Sequence, residues 1–152
     1  MSAGYVVNNT ADVALTAATA KTVLNIIGAA SKTFVVVEFS LSFDGVTANA
    51  EPVLVELCYS DQGTAGTSTA FTPLQIRGAT RSCDETAAVN YTAQNATLTV
   101  WKTWLVHPQT GITLQHPLGR EPQQTVSSDA ICLRCTAPAT VNVRGYMEWE
   151  PA

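Results

Sequence analysis

The feature of this sequence that most constrains its fold is the alternation of apolar and polar residues with a period of two. The segment TFVVVEFSLSF places one set of apolar side chains on a single face: Val35, Val37, Phe39, Leu41 and Phe43. Successive side chains of a β-strand point to opposite faces of the sheet, so this alternation predicts a strand with one buried face. Asp44 and Gly45 follow it and predict a turn.

A second segment, PVLVELCYS, repeats the pattern. Its apolar face carries Val53, Val55, Leu57 and Tyr59, and its opposite face carries Glu56, Cys58 and Ser60. We expect these two strands to form the centre of the fold and their aligned apolar faces to form its core.

Weaker alternation, bounded by Gly, Pro, Ser or Asp, predicts further short strands. They lie at 13–15, 23–27, 74–76, 97–107, 112–116, 130–136 and 140–149. The turn at 109–111 predicts that the strands on either side of it form a hairpin. A total of about eight or nine short strands indicates an all-β fold, an antiparallel sandwich or jelly roll.

Helical periodicity is confined to one predicted turn at Ser82–Ala88, where Ser82 and Glu85 have the spacing of a capping box. The 152 residues match the size of one domain, and they contain no internal repeat. We therefore expect a single sandwich domain at 13–152. We expect residues 1–12 to be an N-terminal arm that becomes ordered only against a neighbouring copy.

The composition bears on assembly. Charged residues make up 13% of the chain, about half the share usual for a soluble domain. Thr, Ser, Asn, Gln and Ala must therefore cover much of the surface, and these residues cost less to desolvate than Lys or Glu. Such a surface favours extensive contact between subunits, and the alternative is a neutral-surfaced monomer.

Charge and hydropathy exclude two classes of partner. The net charge is −4 and the eight Lys and Arg residues are scattered, which argues against the clustered basic surface of a nucleic-acid-binding protein. No apolar run approaches the roughly 20 residues that cross a bilayer, and the N-terminus lacks the regions of a signal peptide. We expect a protein made and kept in a cytosol-like compartment, with no membrane partner.

Four cysteines raise the question of a metal site or a disulfide. Cys132 and Cys135 have C-x-x-C spacing, but an offset of three on a strand directs them to opposite faces, which argues against a zinc knuckle. Cys135 is predicted to lie in the core and Cys132 on the outward face. Cys58 also lies on an outward face, so a Cys58–Cys132 disulfide is feasible if their strands are neighbours.

Cys83 lies in the polar loop ATRSCDE and is predicted to be the most exposed thiol. The adjacent Asp84 and Glu85 would raise the pKa of a thiol, which argues against a cysteine nucleophile. Other carboxylates lie in predicted turns and form no acid/base pair: Asp44, Asp61, Glu121 and Asp129. We therefore predict neither an enzyme nor a cofactor.

Two histidines and two tryptophans are the remaining candidates. One histidine from each of three copies around a symmetry axis could bind zinc, and His116 is a better candidate than His107. The alternative is a surface or interface histidine. Trp101 and Trp104 are three residues apart on a strand, so one is expected in the core and the other exposed, where it could anchor a subunit contact or stack on a sugar ring.

The segments HPQTGITLQHPLGREPQ and APATVNVRGYMEWE, with the opening YVVNNTADVALTAATAKTVLNI, resemble small β-rich proteins that phage and metagenomic genomes encode beside head and tail genes. The resemblance covers most of the chain. It implies a capsid decoration protein or other virion structural protein, a jelly-roll homotrimer assembled in the host cytoplasm, with itself and other virion proteins as partners. The cysteines in RSCDET and ICLRC are not expected of the group and leave open an engineered variant with introduced thiols.

Two other functions compete with this one. The first is a carbohydrate-binding sandwich module that uses an exposed tryptophan. The second is a metal-binding or engineered trimer with His116 on its threefold axis.

Overall fold

Twelve β-strands in two antiparallel sheets make up residues 2–152, the part of the chain that the computed structural model describes. The all-β prediction is confirmed, and no helix in these residues is long and apolar enough to span a membrane. The strands are β1 Gly4–Asn8, β2 Val13–Leu15, β3 Lys21–Ile27, β4 Phe34–Phe43, β5 Val53–Asp61, β6 Thr67–Phe71, β7 Leu74–Arg77, β8 Thr86–Ala93, β9 Thr97–Val106, β10 Gly111–Gln115, β11 Ala130–Thr136 and β12 Val141–Pro151.

Sheet A has the order β10-β4-β12-β1-β7, with β2 also paired to β12, and sheet B has the order β6-β8-β3-β11-β5-β9. All nine predicted strands are present. The sequence prediction missed β1, β6 and β8. For β6 the reason is that it is an edge strand with four of its five residues exposed, so it has no alternating apolar face.

The core lies between the two sheets, and the prediction for β5 is correct. Val53, Val55 and Leu57 are buried, and Tyr59 packs against the same core. β5 lies between β11 and β9 in sheet B.

The prediction for β4 is correct only at its C-terminal half. Phe39 and Leu41 are buried as expected, whereas Val35 and Val37 are only half-buried and the buried residues before them are Phe34 and Val36. A β-bulge opposite Glu148 and Trp149 leaves Val37 as an extra residue on β4. An extra residue reverses the alternation, so the core face changes at that point.

The predicted N-terminal arm is instead part of the fold. β1 lies between β12 and β7 in sheet A, and its Tyr5 and Val7 are buried. β2 pairs with β12 through Val13 and Leu15. The prediction also included Met1, which lies outside the described residues.

The predicted hairpin is wrong. β9 pairs with β5 in sheet B, and β10 pairs with β4 in sheet A, so the turn at 107–110 carries the chain from one sheet to the other. Both strands are sheet edges, and the contact of Trp104 on β9 with Phe39 on β4, the neighbour of β10, places them on the same side of the sandwich.

The predicted helical turn at Ser82–Ala88 is also absent, because its second half starts β8. The Glu85 side chain is buried and accepts hydrogen bonds from Cys83 Sγ at 3.3 Å and from Trp149 Nε1 at 3.4 Å. Glu85 therefore satisfies a core tryptophan instead of capping a helix.

The outer face of sheet B is covered, although its residues were expected to face solvent. Cys58, Ser60 and Cys132 are fully buried there. The loops at 62–66 and 94–96 lie against this face: the Asn95 side chain donates to Ser60 Oγ and accepts from the Gly66 backbone N–H at 2.6 Å. The loops that connect β5 to β6 and β8 to β9 thus enclose a polar layer on this face of sheet B, outside the main core.

Candidate subunit interface

β9 forms the open edge of sheet B, and its surface is unusual for an edge strand. It is ten residues long, pairs with β5 on one side, and has seven exposed residues. Lys102 is the one charged residue in the strand. Sheet edges that must avoid association are normally short or rich in charge, so β9 is a candidate interface.

Trp101 is the most prominent side chain of this edge. It is 39% exposed, and its ring lies 5.1 Å from the ring of Tyr59. Trp104, in contrast, is half-buried and packs edge-on against Phe39, with ring centroids 5.4 Å apart. The prediction that one tryptophan packs inward and the other is exposed is correct.

The offset of three residues between Trp101 and Trp104 does not fully explain their opposite directions, because β9 is not a regular strand. Lys102 is paired with Leu57 and Val100 with Cys58, so Trp101 is an extra residue in a β-bulge. The bulge turns Trp101 towards Tyr59, whose side chain faces the core. Bulges redirect side chains at sheet edges in this way.

Exposed apolar residues extend the surface beyond Trp101. On β9, Val100 and Leu105 are exposed, and Leu105 reaches 71%. Leu105 is the cross-strand partner of Leu54 on the outer side of sheet B. The β9 edge, defined here as Val100, Trp101 and Leu105, therefore offers apolar contact on both sides of the strand.

The loop after β10 carries a further exposed side chain. Leu118 is 96% exposed at the tip of a turn closed by a 2.9 Å hydrogen bond from the Arg120 N–H to the Pro117 carbonyl. Gly119 supplies the left-handed conformation of that turn, with φ at +78°. A fully exposed leucine at a turn tip is available for contact with another molecule.

His116 lies beside this loop but is buried. Its side chain is 5% exposed, its ring lies 6.1 Å from that of Phe39, and its backbone N–H donates to the Val37 carbonyl at 2.8 Å. Both ring nitrogens are inaccessible to solvent and without a hydrogen-bond partner among the described residues. Burial, and then the positive charge of Lys102, hold the pKa of the imidazole below its usual value.

These contacts bear on the predicted metal site. A zinc ion shared by three copies needs an accessible ring nitrogen, and His116 would have to move to provide one. Within residues 2–152, no three metal-ligating side chains of His, Cys, Asp or Glu come together. His107 is held in the turn at 107–110, where its Nδ1 accepts from the Gln109 N–H at 3.1 Å. A metal site at His116 stays a prediction.

The cysteines divide into three environments. Cys135 is buried in the core, as predicted. Cys83 is half-buried, and burial together with its hydrogen bond to Glu85 raises the pKa of its thiol to about 12, so it is a poor nucleophile at neutral pH. Cys58 and Cys132 are directly opposite each other on β5 and β11.

Carboxylates in turns have structural partners, as expected. Asp44 accepts from the backbone and side-chain nitrogens of Asn142, both at 2.8 Å, and these bonds lower the pKa of its carboxyl group. Asp61 accepts from the Gly63 N–H at 2.6 Å. These contacts hold the two carboxylates in the turns where the sequence predicted them.

A cavity of about 560 Å³ lies at one end of the sandwich, and no pattern in the sequence predicts it. It is formed by the loops at 44–51 and 138–140 together with Pro108 and the adjoining ends of β5 and β12. Val46 lies in its wall and is also largely exposed. Cavities formed by three separate loops have no local sequence pattern, because the loops are brought together only by the fold.

No model of a protein family, no curated protein and no solved structure matches this chain.

Proposed function

We propose that this chain is a structural protein that assembles with copies of itself through the β9 edge, as a homotrimer of the virion decoration or head and tail type. The observation that carries the proposal is the exposed apolar surface of Val100, Trp101 and Leu105 on a strand with one charge. Tryptophan at the centre of an apolar patch is the residue most often found to anchor protein contacts.

Contact through side chains fits this edge better than a continuous sheet. The bulge at Trp101 interrupts the row of backbone groups that an added strand would need, and Lys102 adds a charge that disfavours strand addition. A contact in which one copy's β9 edge packs against a different surface of the next copy is heterologous, and such contacts form a closed ring when the rotation from copy to copy closes. The resemblance to virion proteins favours a ring of three.

The virion role rests on the same resemblance, and one of the three segments that carry the resemblance adjoins β9. The segment HPQTGITLQHPLGREPQ spans residues 107–123, which include the turn after β9, all of β10 and the loop with Leu118. The charge of Lys102 on β9 acts on His116 in this segment. The 107–123 segment, one of the three that carry the resemblance, therefore lies on the same side of the molecule as the β9 edge.

Light scattering at micromolar concentration tests the assembly. We expect a mass three times the 16.1 kDa of one chain. W101K and L105K should each give monomers, because a buried lysine in the contact is costly. The matched control is L74K, which makes the same change at an exposed leucine of β7, on the opposite side of the sandwich.

A monomeric wild-type chain would refute the assembly proposal. Trimers that survive W101K and L105K but dissociate in L74K would refute the β9 edge as the contact. For the virion role, mass spectrometry of purified particles from the source of the sequence should detect the chain, and particles without it would exclude that role.

Trp101 also supports a second candidate, a carbohydrate-binding module, because an exposed tryptophan beside Tyr59 can stack on a sugar ring. Glycan arrays separate the two candidates. Binding that is lost in W101A while the oligomeric state is unchanged would favour the module, and an array without binding would exclude it.

A further inference from the structure

We propose that Cys58 and Cys132 are a disulfide site, in which oxidation links two neighbouring interior strands of sheet B, β5 and β11. The proposal is independent of the assembly function, because it concerns residues inside one chain. Both cysteines are free thiols in the structure.

The strand register brings the two residues together. Cys132 is the Cα partner of Cys58 in the antiparallel β5–β11 pair, which runs without a shift from Ala130–Ser60 to Thr136–Leu54. Directly opposite residues in such a pair have Cα atoms about 4.5 to 5.5 Å apart. This distance lies within the range of about 4.4 to 6.8 Å that disulfides span.

The other two cysteines are placed elsewhere. Cys135 is paired with Val55 and faces the main core, so β11 itself separates it from the outer face that holds Cys58. Cys83 is in the loop before β8 and is hydrogen-bonded to Glu85. The register therefore favours one intramolecular bond over the alternatives.

The surroundings of the pair suit thiol chemistry. The hydrogen bond from the Cys132 thiol lowers the pKa of Cys58, and the positive charge of Arg134 lowers it further, although burial acts in the opposite direction. The pKa of Cys132 is raised, first by that hydrogen bond and then by burial. Cys58 is thus the thiol that ionises first and attacks an oxidant.

The oxidant in the proposed reaction is hydrogen peroxide. The Cys58 thiolate attacks one oxygen of hydrogen peroxide, the O–O bond breaks, and a sulfenic acid forms with release of hydroxide, which takes up the proton lost by Cys58 to give water. The sulfur of Cys132 then attacks the sulfenic sulfur and the S–O bond breaks. The proton of Cys132 leaves with that oxygen as a second water.

The strands that flank the pair, β9 and β3, each have a bulge beside it. Val100, the cross-strand partner of Cys58, is exposed, and the bulge at Trp101 lies next to it. A second bulge, on β3, lies opposite Leu133 and Arg134, one residue from Cys132. Bulges locally disrupt the ladder of hydrogen bonds, so both neighbouring strands are interrupted beside the pair.

Intact-mass and peptide analysis after peroxide treatment of the folded chain tests the proposal. We expect a monomeric mass lower by two hydrogen atoms and two free thiols in place of four after denaturation. Trypsin separates all four cysteines, because Cys58 lies in 33–77, Cys83 in 82–102, Cys132 in 121–134 and Cys135 in 135–144. The oxidised digest should link 33–77 to 121–134, and dithiothreitol should release the two peptides.

Two sets of variants make the result specific. C58S and C132S should each abolish the link, whereas C83S/C135A keeps only the proposed pair and should form the link to the same extent as the wild type. The link should raise the melting temperature of the wild type by on the order of 10 °C. Four free thiols after treatment of the folded wild type, or a link that joins any other two peptides, would overturn the proposal.

Discussion

His116 shows how one buried side chain can make stability depend on pH. Its ring is enclosed near Phe39 and lacks hydrogen-bond partners among the described residues. Protonation would add a charge that this site cannot solvate, and Lys102 already places a positive charge nearby. The neutral imidazole is therefore the form that the fold accommodates.

This environment predicts acid-induced destabilisation. Because burial and Lys102 lower the pKa of His116 in the folded state, the unfolded chain binds more protons at this residue, and the stability it provides is lost as the pH falls below about 6.5. The free energy of unfolding in urea should fall between pH 7.5 and pH 5. In H116L this fall should be smaller, since leucine fills the site without titrating.

The matched control for this prediction is H107L, which removes the other histidine from an exposed turn. We expect its stability to fall with acid as in the wild type. An H116L variant with the full acid dependence of the wild type would show that other groups control it.

At the scale of the strand, Gly145 allows β12 and β4 to approach each other closely. An alanine Cβ at this position would lie 2.3 Å from the Ser40 carbonyl oxygen and 2.5 Å from Leu41 Cδ2. These strands form the centre of sheet A, so neither can move away without disturbing its other neighbour. A glycine inside a strand often marks such a close approach of two backbones.

We therefore expect G145A to lower the free energy of unfolding by about 1–3 kcal/mol. Chemical denaturation followed by tryptophan fluorescence measures this change. G63A is the control, because a Cβ there would meet only the side chain of Asp61. Equal losses in the two variants would contradict the explanation by backbone approach.

Glu38 and Glu148 place like charges opposite each other on the same pair of strands. Tyr146 Oη donates to Glu38 at 2.5 Å, which holds Glu38 in place. Burial, and then the charge of Glu38, raise the pKa of Glu148. The folded state therefore binds a proton at Glu148 more readily than the unfolded chain, and this pair destabilises the fold increasingly as the pH rises.

E148Q should remove that repulsion and stabilise the fold at pH 7 by up to about 1 kcal/mol. The gain should shrink as the pH approaches 4, where the wild-type carboxyl group is protonated. Thermal unfolding at both pH values measures it. E51Q, which makes the same charge change in an exposed loop, should have little effect, and a gain equal to that of E148Q would point to net charge as the cause.

The strands of this fold could be predicted largely from the sequence, whereas their pairing could not. The alternation in β5 identified its core face correctly, because β5 keeps an uninterrupted register with β11. In β4, Val37 is an extra residue only in relation to β12, more than 100 positions away. β9 and β10 looked like a hairpin because a short turn joins them, yet each completes a different sheet.

The candidate interface was only partly predictable for the same reason. Trp101 could be identified as one of two candidate anchors, but its exposure depends on the bulge in β9. Cys58 and Cys132 are opposite each other because β5 and β11 are neighbours, as the predicted disulfide required. Their burial depends on loops over the outer face of sheet B, which no local sequence pattern indicates. The sequence shows which residue types are present, but which of them are neighbours depends on the order of the strands in the sheets.

At the scale of the whole molecule, low charge and open sheet edges occur together. The chain has 20 charged residues of 152, with eight positive and twelve negative. Some of these charges are already paired within the chain, as in the ion pair between Arg134 and Glu56 at 3.0 Å. Strand β9 carries Lys102 as its one charged residue, so few charges are available for contacts between copies through the β9 edge.

This distribution predicts how the proposed assembly responds to salt. Ion pairs between subunits weaken as the Debye length falls from about 10 Å at 0.1 M to about 3 Å at 1 M salt, whereas apolar contacts do not depend on charge and are strengthened by salts excluded from protein surfaces. The trimer should therefore keep its mass from 0.1 to 1 M sodium chloride. Sedimentation velocity across this range measures the mass, with W101K as the monomeric reference. Dissociation at high salt would show that charged groups hold the copies together, and the contact would then have to lie away from the β9 edge.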